Sequence, residues 1–332
     1  MEELPDDVLS RILIWLPAKL LAQSRCVCRH WNALLYQPSF IYSHLKQQCS
    51  LIHNNNGNIL LLFDNLLRRH RPCTVHSTFP HIELTNFIKF PVNFPSKDRF
   101  FSSVIGSANG LIYFFRETGP TNINPMYTIY IWNPSLSALM TLPPFTLPLG
   151  TAIFYRFWFD PKTDDYMMVK LTCSPDETYT TVFPEVVEVY SMRRGSWQLT
   201  AERFPSQLFI PKHLGDQALL DGHHGKVHWL GYVPPSRLNM ILAFDLGVQT
   251  FSEISLPDSV CYFDENRNLA LAFIDGKLCV MTSVRGSDQC EVWVMDEYYA
   301  WVKRHMFSQL SLDNDITPVG LTLNGEFLFR TD

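Results

Sequence analysis

The side chains best suited to chemistry in this chain fall into a few short groups, and the spacing of each limits what it could do. Cys26-Val27-Cys28-Arg29-His30 offers soft metal ligands. A one-residue gap on a helix sends the two thiols to different faces, however, and no second pair lies nearby to complete a tetrahedral set. His223, His224 and His228 crowd the turn at Gly225, where imidazoles in a surface loop or a satisfied core are the plainer expectation than a metal centre. Gly106-Ser107-Ala108-Asn109-Gly110 sets its serine beside the glycine, so it lacks the nucleophile-elbow spacing and reads as a turn. No phosphate-cradling glycine loop, zinc-protease helix motif or dinucleotide fingerprint occurs. The expectation is therefore no catalytic residue, no metal and no cofactor.

Recognition chemistry is better represented. Arg68-Arg69-His70-Arg71 is a basic cluster, read either as a solvated inter-strand loop or as a contact for an acidic partner. Aromatic residues make up 14% of the chain. Those that fall outside its repeat pattern are the candidates for a binding face: Phe154, Tyr155, Phe157 and Trp158 with Arg156, Tyr232 near Pro234-Pro235, and Tyr298-Tyr299. Aromatic and arginine side chains on loops of a rigid scaffold are favoured anchors for a protein partner. Of these, Tyr155, Arg156, Trp158, Tyr232, Tyr298 and Tyr299 form the candidate substrate-binding set.

The whole chain bounds what these groups can serve. It has 332 residues, 46% of them hydrophobic, and a formal net charge of -5, which describes a globular chain with ample core. Mild acidity gives no electrostatic reason to expect nucleic-acid binding. No apolar run is long enough to span a bilayer, and the acidic start is unlike a secretory leader, so a cytoplasmic or nuclear location is expected. The eight cysteines are scattered, which favours reduced thiols over a disulfide framework.

Residues 1–48 are helical by pattern. Val8, Leu9, Ile12, Leu13 and Leu16 recur at i, i+1, i+4, i+5 and i+8, a stripe along one face. Pro5 suits a first helical position, with Asp6 and Asp7 near the positive end of the helix dipole, and Pro17 stops the segment. A second helix is expected from about Lys19, a third carrying Val27, Trp31, Leu34 and Leu35, and a last turn with Phe40, Ile41 and Leu45. Three or four short helices bury too little surface to be comfortable alone and call for a partner, within the chain or outside it.

This string resembles an F-box: Leu4-Pro5, Val8-Leu9, Ile12-Leu13, Leu16-Pro17, Arg25-Cys26-Val27-Cys28-Arg29, Trp31 and Pro38-Ser39-Phe40 follow the plant version of the pattern in order. The small or polar Ala18, Ala22 and Ser24 depart from it. The resemblance implies binding to a Skp-type adaptor, and through it to a cullin and a RING subunit, by Leu4, Pro5, Val8, Leu9, Ile12, Leu13, Leu16 and Pro17. It adds Trp31 to that adaptor-binding set, with the main part of holding the helices together.

From about Leu51 the period changes to short apolar strands. A turn glycine followed by an apolar run recurs at Gly57, Gly110, Gly225, Gly276 and Gly325, with Asp164-Asp165 filling the gap, so six units begin 49 to 60 residues apart. A later strand in four of the units centres on an aromatic, at Trp132, Tyr190, Phe244 and Trp293. Trp197, Phe251 and Trp301 follow the last three by seven or eight residues, whereas Leu139 follows Trp132. One antiparallel sheet per repeat, arranged radially, predicts an all-β, propeller-like kelch-type domain over 52–332 rather than a sandwich. Six repeats are expected, the last incomplete because the sequence stops at Asp332.

Ser107-Ala108-Asn109-Gly110-Leu111, Ile131-Trp132-Asn133-Pro134, Phe159-Asp160-Pro161, Gly195-Ser196-Trp197, Val227-His228-Trp229-Leu230, Ala243-Phe244-Asp245-Leu246 and Glu291-Val292-Trp293-Val294-Met295 resemble the F-box-associated domain of plant F-box proteins. Together the two resemblances imply a non-catalytic substrate receptor of an SCF ubiquitin ligase, joining the adaptor to a protein target without nucleic acid or membrane. The alternatives are an F-box protein acting with the adaptor outside a ligase, and an enzyme or sugar-binding propeller with a helical cap.

Overall fold

The computed structural model describes residues 4–54, 60–63, 74–77, 102–118, 126–134, 136–146, 151–160, 162–175, 181–205, 208–211, 225–233, 238–264, 266–274, 276–287, 289–297, 299–307, 316–321 and 327–331. The chain divides into two compact units, one comprising 1–103, 109–112 and 129–143, the other 104–108, 113–128 and 144–332.

Four helices open the chain: α1 (Asp6–Leu13), α2 (Ala18–Ser24), α3 (Arg29–Leu35) and α4 (Pro38–Asn54). Pro5 sits one position earlier than expected, at the N-cap of α1 in extended geometry, and Pro17 does the same for α2. Each fixes φ and supplies a carbonyl to the first turn. Val27 was expected on the third helical stripe but precedes α3 and is exposed. The last helix is also longer than one turn and runs past Leu51, where strands were expected to begin. Leu9, Leu13, Leu21, Leu34, Leu35 and Phe40 form the helical core, with Leu16 and Trp31 packed against it.

The strands follow as consecutive antiparallel pairs. β1 (Leu60–Phe63) pairs with β2 (Thr74–Ser77). A sheet then orders β3 (Ser102–Ala108), β4 (Leu111–Thr118), β5 (Met126–Asn133) and β6 (Ala138–Thr141), with β7 (Phe145–Thr146) on β5. The next orders β8 (Ala152–Asp160), β9 (Asp165–Pro175), β10 (Thr181–Ser191) and β11 (Ser196–Leu199), with β12 (Ile210–Pro211) on β10. β13 (Lys226–Val233), β14 (Leu238–Asp245) and β15 (Thr250–Ser255) make a three-stranded sheet. β16 (Arg267–Ile274), β17 (Lys277–Val284), β18 (Cys290–Met295) and β19 (Trp301–Phe307) make a four-stranded one. β20 (Ile316–Leu321) pairs with β21 (Phe327–Thr331).

Four sheets of three or more strands are thus present among the described residues, each a meander of chain neighbours apart from the short β7 and β12, with a two-stranded pair before and after them. The expected count of six repeats, the last incomplete, is not displayed by these strands. The turn residues at Gly57 and Gly325 and the basic cluster Arg68-Arg69-His70-Arg71 lie outside the described residues.

The repeat spacing has a direct physical meaning. Asn109 and Gly110 both have positive φ, a combination that lets a two-residue turn follow the twist of its flanking strands, and they join β3 to β4. Aromatics seven residues apart are opposite each other across a hairpin: Tyr190 faces Trp197, with rings 5.2 Å apart, and Phe244 faces Phe251, at 4.7 Å. Such pairs add about 0.5–1.5 kcal/mol beyond their buried area. In the last four-stranded sheet a register shift between Val292 and Trp293 places Trp301 opposite Met295 and Lys303 opposite Trp293. The Lys303 ammonium lies 5.1 Å from the Trp293 ring centre, so a cation fills the place an aromatic holds elsewhere.

Candidate interaction site

The apolar stripe of α1 does two jobs. At 100° per residue, a set spaced i, i+1, i+4, i+5, i+8 is wide enough to split, and its two halves part company. Leu9 and Leu13 are 5% and 2% exposed and sit in the helical core. Leu4 and Ile12, by contrast, are 54% and 53% exposed, with Val8 between them also exposed. Trp15, just beyond the helix, continues this outer ridge at 59%. The stripe expected to contact an adaptor thus contributes Leu4, Val8 and Ile12 to the surface, while Leu9 and Leu13 hold the helices together and Leu16 is half-buried. Pro5 and Pro17 are exposed and Trp31 is half-buried. Trp15 was missed, although it lies eleven residues after Leu4 and so returns to the same side.

Polar contacts fix the ridge in place. Asp6 and Asp7 lie in the first turn of α1 and Arg11 in its last, each complementing the helix dipole. His30 Nε2 and an Asp6 carboxylate oxygen are 2.9 Å apart, tying α3 to the start of α1. Buried His44 donates from Nε2 to the Leu16 carbonyl at 2.9 Å, satisfying an acceptor at the end of that segment. Cys28, read above for metal chemistry, is the N-cap of α3: the Trp31 amide donates to its Sγ at 3.4 Å. No group of three or more His, Cys, Asp or Glu side chains is placed to hold a metal ion among the described residues.

The second candidate set divides, its β8 members lying inside rather than on display. Tyr155 and Arg156 are buried on β8, and Trp158 is half-buried against the core of their unit. β8 packs on both faces, so its aromatic run, interrupted only by Arg156, marks interior rather than surface. Arg156 donates from Nε to the His228 carbonyl at 2.9 Å and from Nη1 to the Tyr155 carbonyl at 2.8 Å. Its guanidinium lies 5.7 Å from the Trp229 ring centre. Opposite Tyr155 in the ladder is Lys170, also buried, whose ammonium is 2.5 Å from a Glu188 carboxylate oxygen. The rings of Phe145 and Trp197 lie 4.7 and 4.8 Å from that ammonium. Burial, with Tyr127 and Glu188 adding to it, holds the Tyr155 phenol well above its ordinary pKa and keeps it neutral.

Tyr232 is half-buried and stacks on Phe209 and Phe263. Tyr299 is 71% exposed at a hairpin tip with φ 62°. Tyr298, like His223 and His224, lies outside the described residues. His228 is buried, its ring edge-on to Phe273. The acids of the Asp160–Asp165 turn serve structure: Asp160 accepts from the Lys162 amide and the Thr163 hydroxyl, and Asp165 from the Ser191 hydroxyl and the Arg193 amide.

Exposed ridge in front, compact helical core behind and a run of β meanders after it is the geometry on which comparison with known proteins bears. Residues 61–332 match the family model described as F-box associated beta propeller domain, and residues 1–48 match one described as F-box-like. The chain belongs to the F-box associated beta propeller family. F-box protein CPR1 from Arabidopsis thaliana is 26% identical over 91% of this chain and 72% of that protein. A second Arabidopsis thaliana F-box protein is also 26% identical, over 91% and 73%. An F-box/kelch-repeat protein of the same plant is 23% identical over 90% and 78%. In this F-box protein the two matches together therefore cover the α1 ridge, through the F-box-like model, and the sheets, through the propeller model.

Proposed function

We propose that this F-box protein is the substrate-recognition subunit of an SCF-type ubiquitin ligase. The outer ridge of Leu4, Val8, Ile12 and Trp15 receives a Skp-type adaptor, which brings a cullin and a RING subunit. The β domain, taken as 52–332 with six repeats of which the last is incomplete, holds the target. The chain itself catalyses nothing in this reading. It raises the effective concentration of target lysines near a charged ubiquitin carrier, a proximity effect, in the cytoplasm or nucleus.

One observation carries the reading: an apolar ridge stays in solvent on α1 while its companion ridge is buried. Exposed leucine, isoleucine, valine and tryptophan in a row mark a surface that another protein covers. The test is co-purification of the intact chain with a Skp-type adaptor, followed by addition of cullin. Recovery of all three is the expected result, and the Val8→Glu, Ile12→Glu double variant should emerge alone with its helices intact. Adaptor retained by that variant, or cullin excluded from the complex, would contradict the proposal.

A further inference from the structure

Among the described residues, the three-stranded sheet β13-β14-β15 carries a built aromatic shelf at one end. Phe263 stacks on Tyr232 with ring centres 5.0 Å apart, and Tyr232 stacks on Phe209 at 5.8 Å. All three residues are half-buried. Tyr262, next to Phe263, is 66% exposed, and Leu238 is exposed beside it through an antiparallel bridge.

Backbone and side-chain hydrogen bonds tie the segments of the shelf together. Phe209 and Tyr232 exchange backbone hydrogen bonds of 3.0 and 2.9 Å. At Gly231 an added Cβ would meet the Leu208 side chain and come within 2.8 Å of the Phe209 carbonyl oxygen, so the two segments approach as closely as a glycine allows. On the other side, the Asn239 amide donates to the Cys261 carbonyl at 2.6 Å, and the Asn239 side chain donates to the Val260 carbonyl at 3.2 Å. A preformed ring surface loses little freedom on binding, which favours recognition.

Charge selects the occupant. Asp258 and Asp264 are exposed in the connection that bears Tyr262 and Phe263, and described residues 256–264 include no lysine or arginine. Ring faces and carboxylates both attract cations. We infer that this shelf is a docking surface for a segment of a target protein that sets an arginine or lysine beside an apolar side chain. The inference rests on the proposed function in one respect, that the β domain is the part that holds the target.

The test uses the full chain and short fluorescein-labelled peptides on a common Gly-Ser background, carrying leucines with arginines, leucines with glutamates, or leucines alone, read by anisotropy. The arginine peptide should bind best and the glutamate peptide worst. Tyr262→Ala, at an exposed position, should weaken arginine-peptide binding by about tenfold or more at unchanged melting temperature. Tyr232→Ala should act in the same direction. Asp258→Asn with Asp264→Asn should bring the arginine peptide down to the leucine peptide. Equal binding of arginine and glutamate peptides, indifference to Tyr262→Ala, or self-association of the chain through Tyr262 would overturn the inference. Adaptor co-purification separates the two readings. A chain that prefers the arginine peptide and ignores the adaptor keeps the shelf and loses the ligase role, whereas adaptor binding without charge preference removes the shelf alone.

Discussion

The helical segment and the β sheets use apolar residues in opposite ways. Along α1 the pattern is split lengthwise, with Leu9 and Leu13 inward and Leu4, Val8 and Ile12 outward. In the sheets several of the largest side chains are withdrawn completely, Trp132, Trp229, Tyr113 and Phe244 among them. A sheet with both faces packed gives each residue a neighbour on whichever side it points. A lone helix on a thin core leaves half its circumference to solvent. The helices therefore leave apolar surface in solvent, whereas much of the aromatic wealth of the sheets goes inward.

Core truncations sharpen this contrast most. Phe244→Ala removes a fully buried ring that packs on Phe251 and should cost the β domain about 3–5 kcal/mol. Leu13→Ala should cost about 2–5 kcal/mol, but a small helical core has little stability to lose. Thermal unfolding followed by helical circular dichroism and by tryptophan fluorescence should show Leu13→Ala melting the helices early and Phe244→Ala lowering the fluorescence transition. If both variants shift both signals equally, the division between a thin helical core and a deep β core is wrong.

Gly231→Ala should destabilise by about 1–3 kcal/mol, the usual range for overpacking, because the new methyl meets Leu208 and the Phe209 carbonyl. The fluorescence transition should report it while the helical signal at low temperature stays intact.

The smallest effect is electrostatic. Burial alone would raise the Glu291 pKa, but hydrogen bonds from Lys303 and the Trp293 indole, with the charges of Lys303 and Arg267, bring it below the usual glutamate value. The folded state thus holds that proton less readily than the unfolded one. The stabilisation is complete above the ordinary glutamate range and fades as pH falls through the lowered value. Glu291→Gln should flatten part of the acid limb of melting temperature against pH and leave the profile near neutrality parallel to that of the parent. An unchanged acid limb would count against the Lys303-Glu291-Trp293 arrangement.

Much of the architecture was legible because hairpin geometry writes itself into spacing. The seven-residue interval from Tyr190 to Trp197 and from Phe244 to Phe251 is the ladder register itself. The helical segment and its F-box-like character were legible from motif order, but not which half of its stripe faces out, since periodicity gives a direction without saying what lies there. Leu9 and Leu13 went to the core for that reason. The aromatic run on β8 looked like a display because it falls outside the repeat pattern, yet burial on both faces explains it better, and Arg156 is held there by carbonyls. The shelf was only partly visible: Tyr232 stood out beside its prolines, whereas Phe209 and Phe263 join it through stacking between segments distant in sequence.

The central claim is that the outer ridge of α1 is a protein-binding surface and the inner ridge is not. The most direct measurement is the affinity of a Skp-type adaptor for the intact chain and for Ile12→Glu, with circular dichroism taken on both. Loss of about a hundredfold or more in affinity at unchanged helical content is the predicted result. Equal affinity for the two proteins, both folded, would contradict the account.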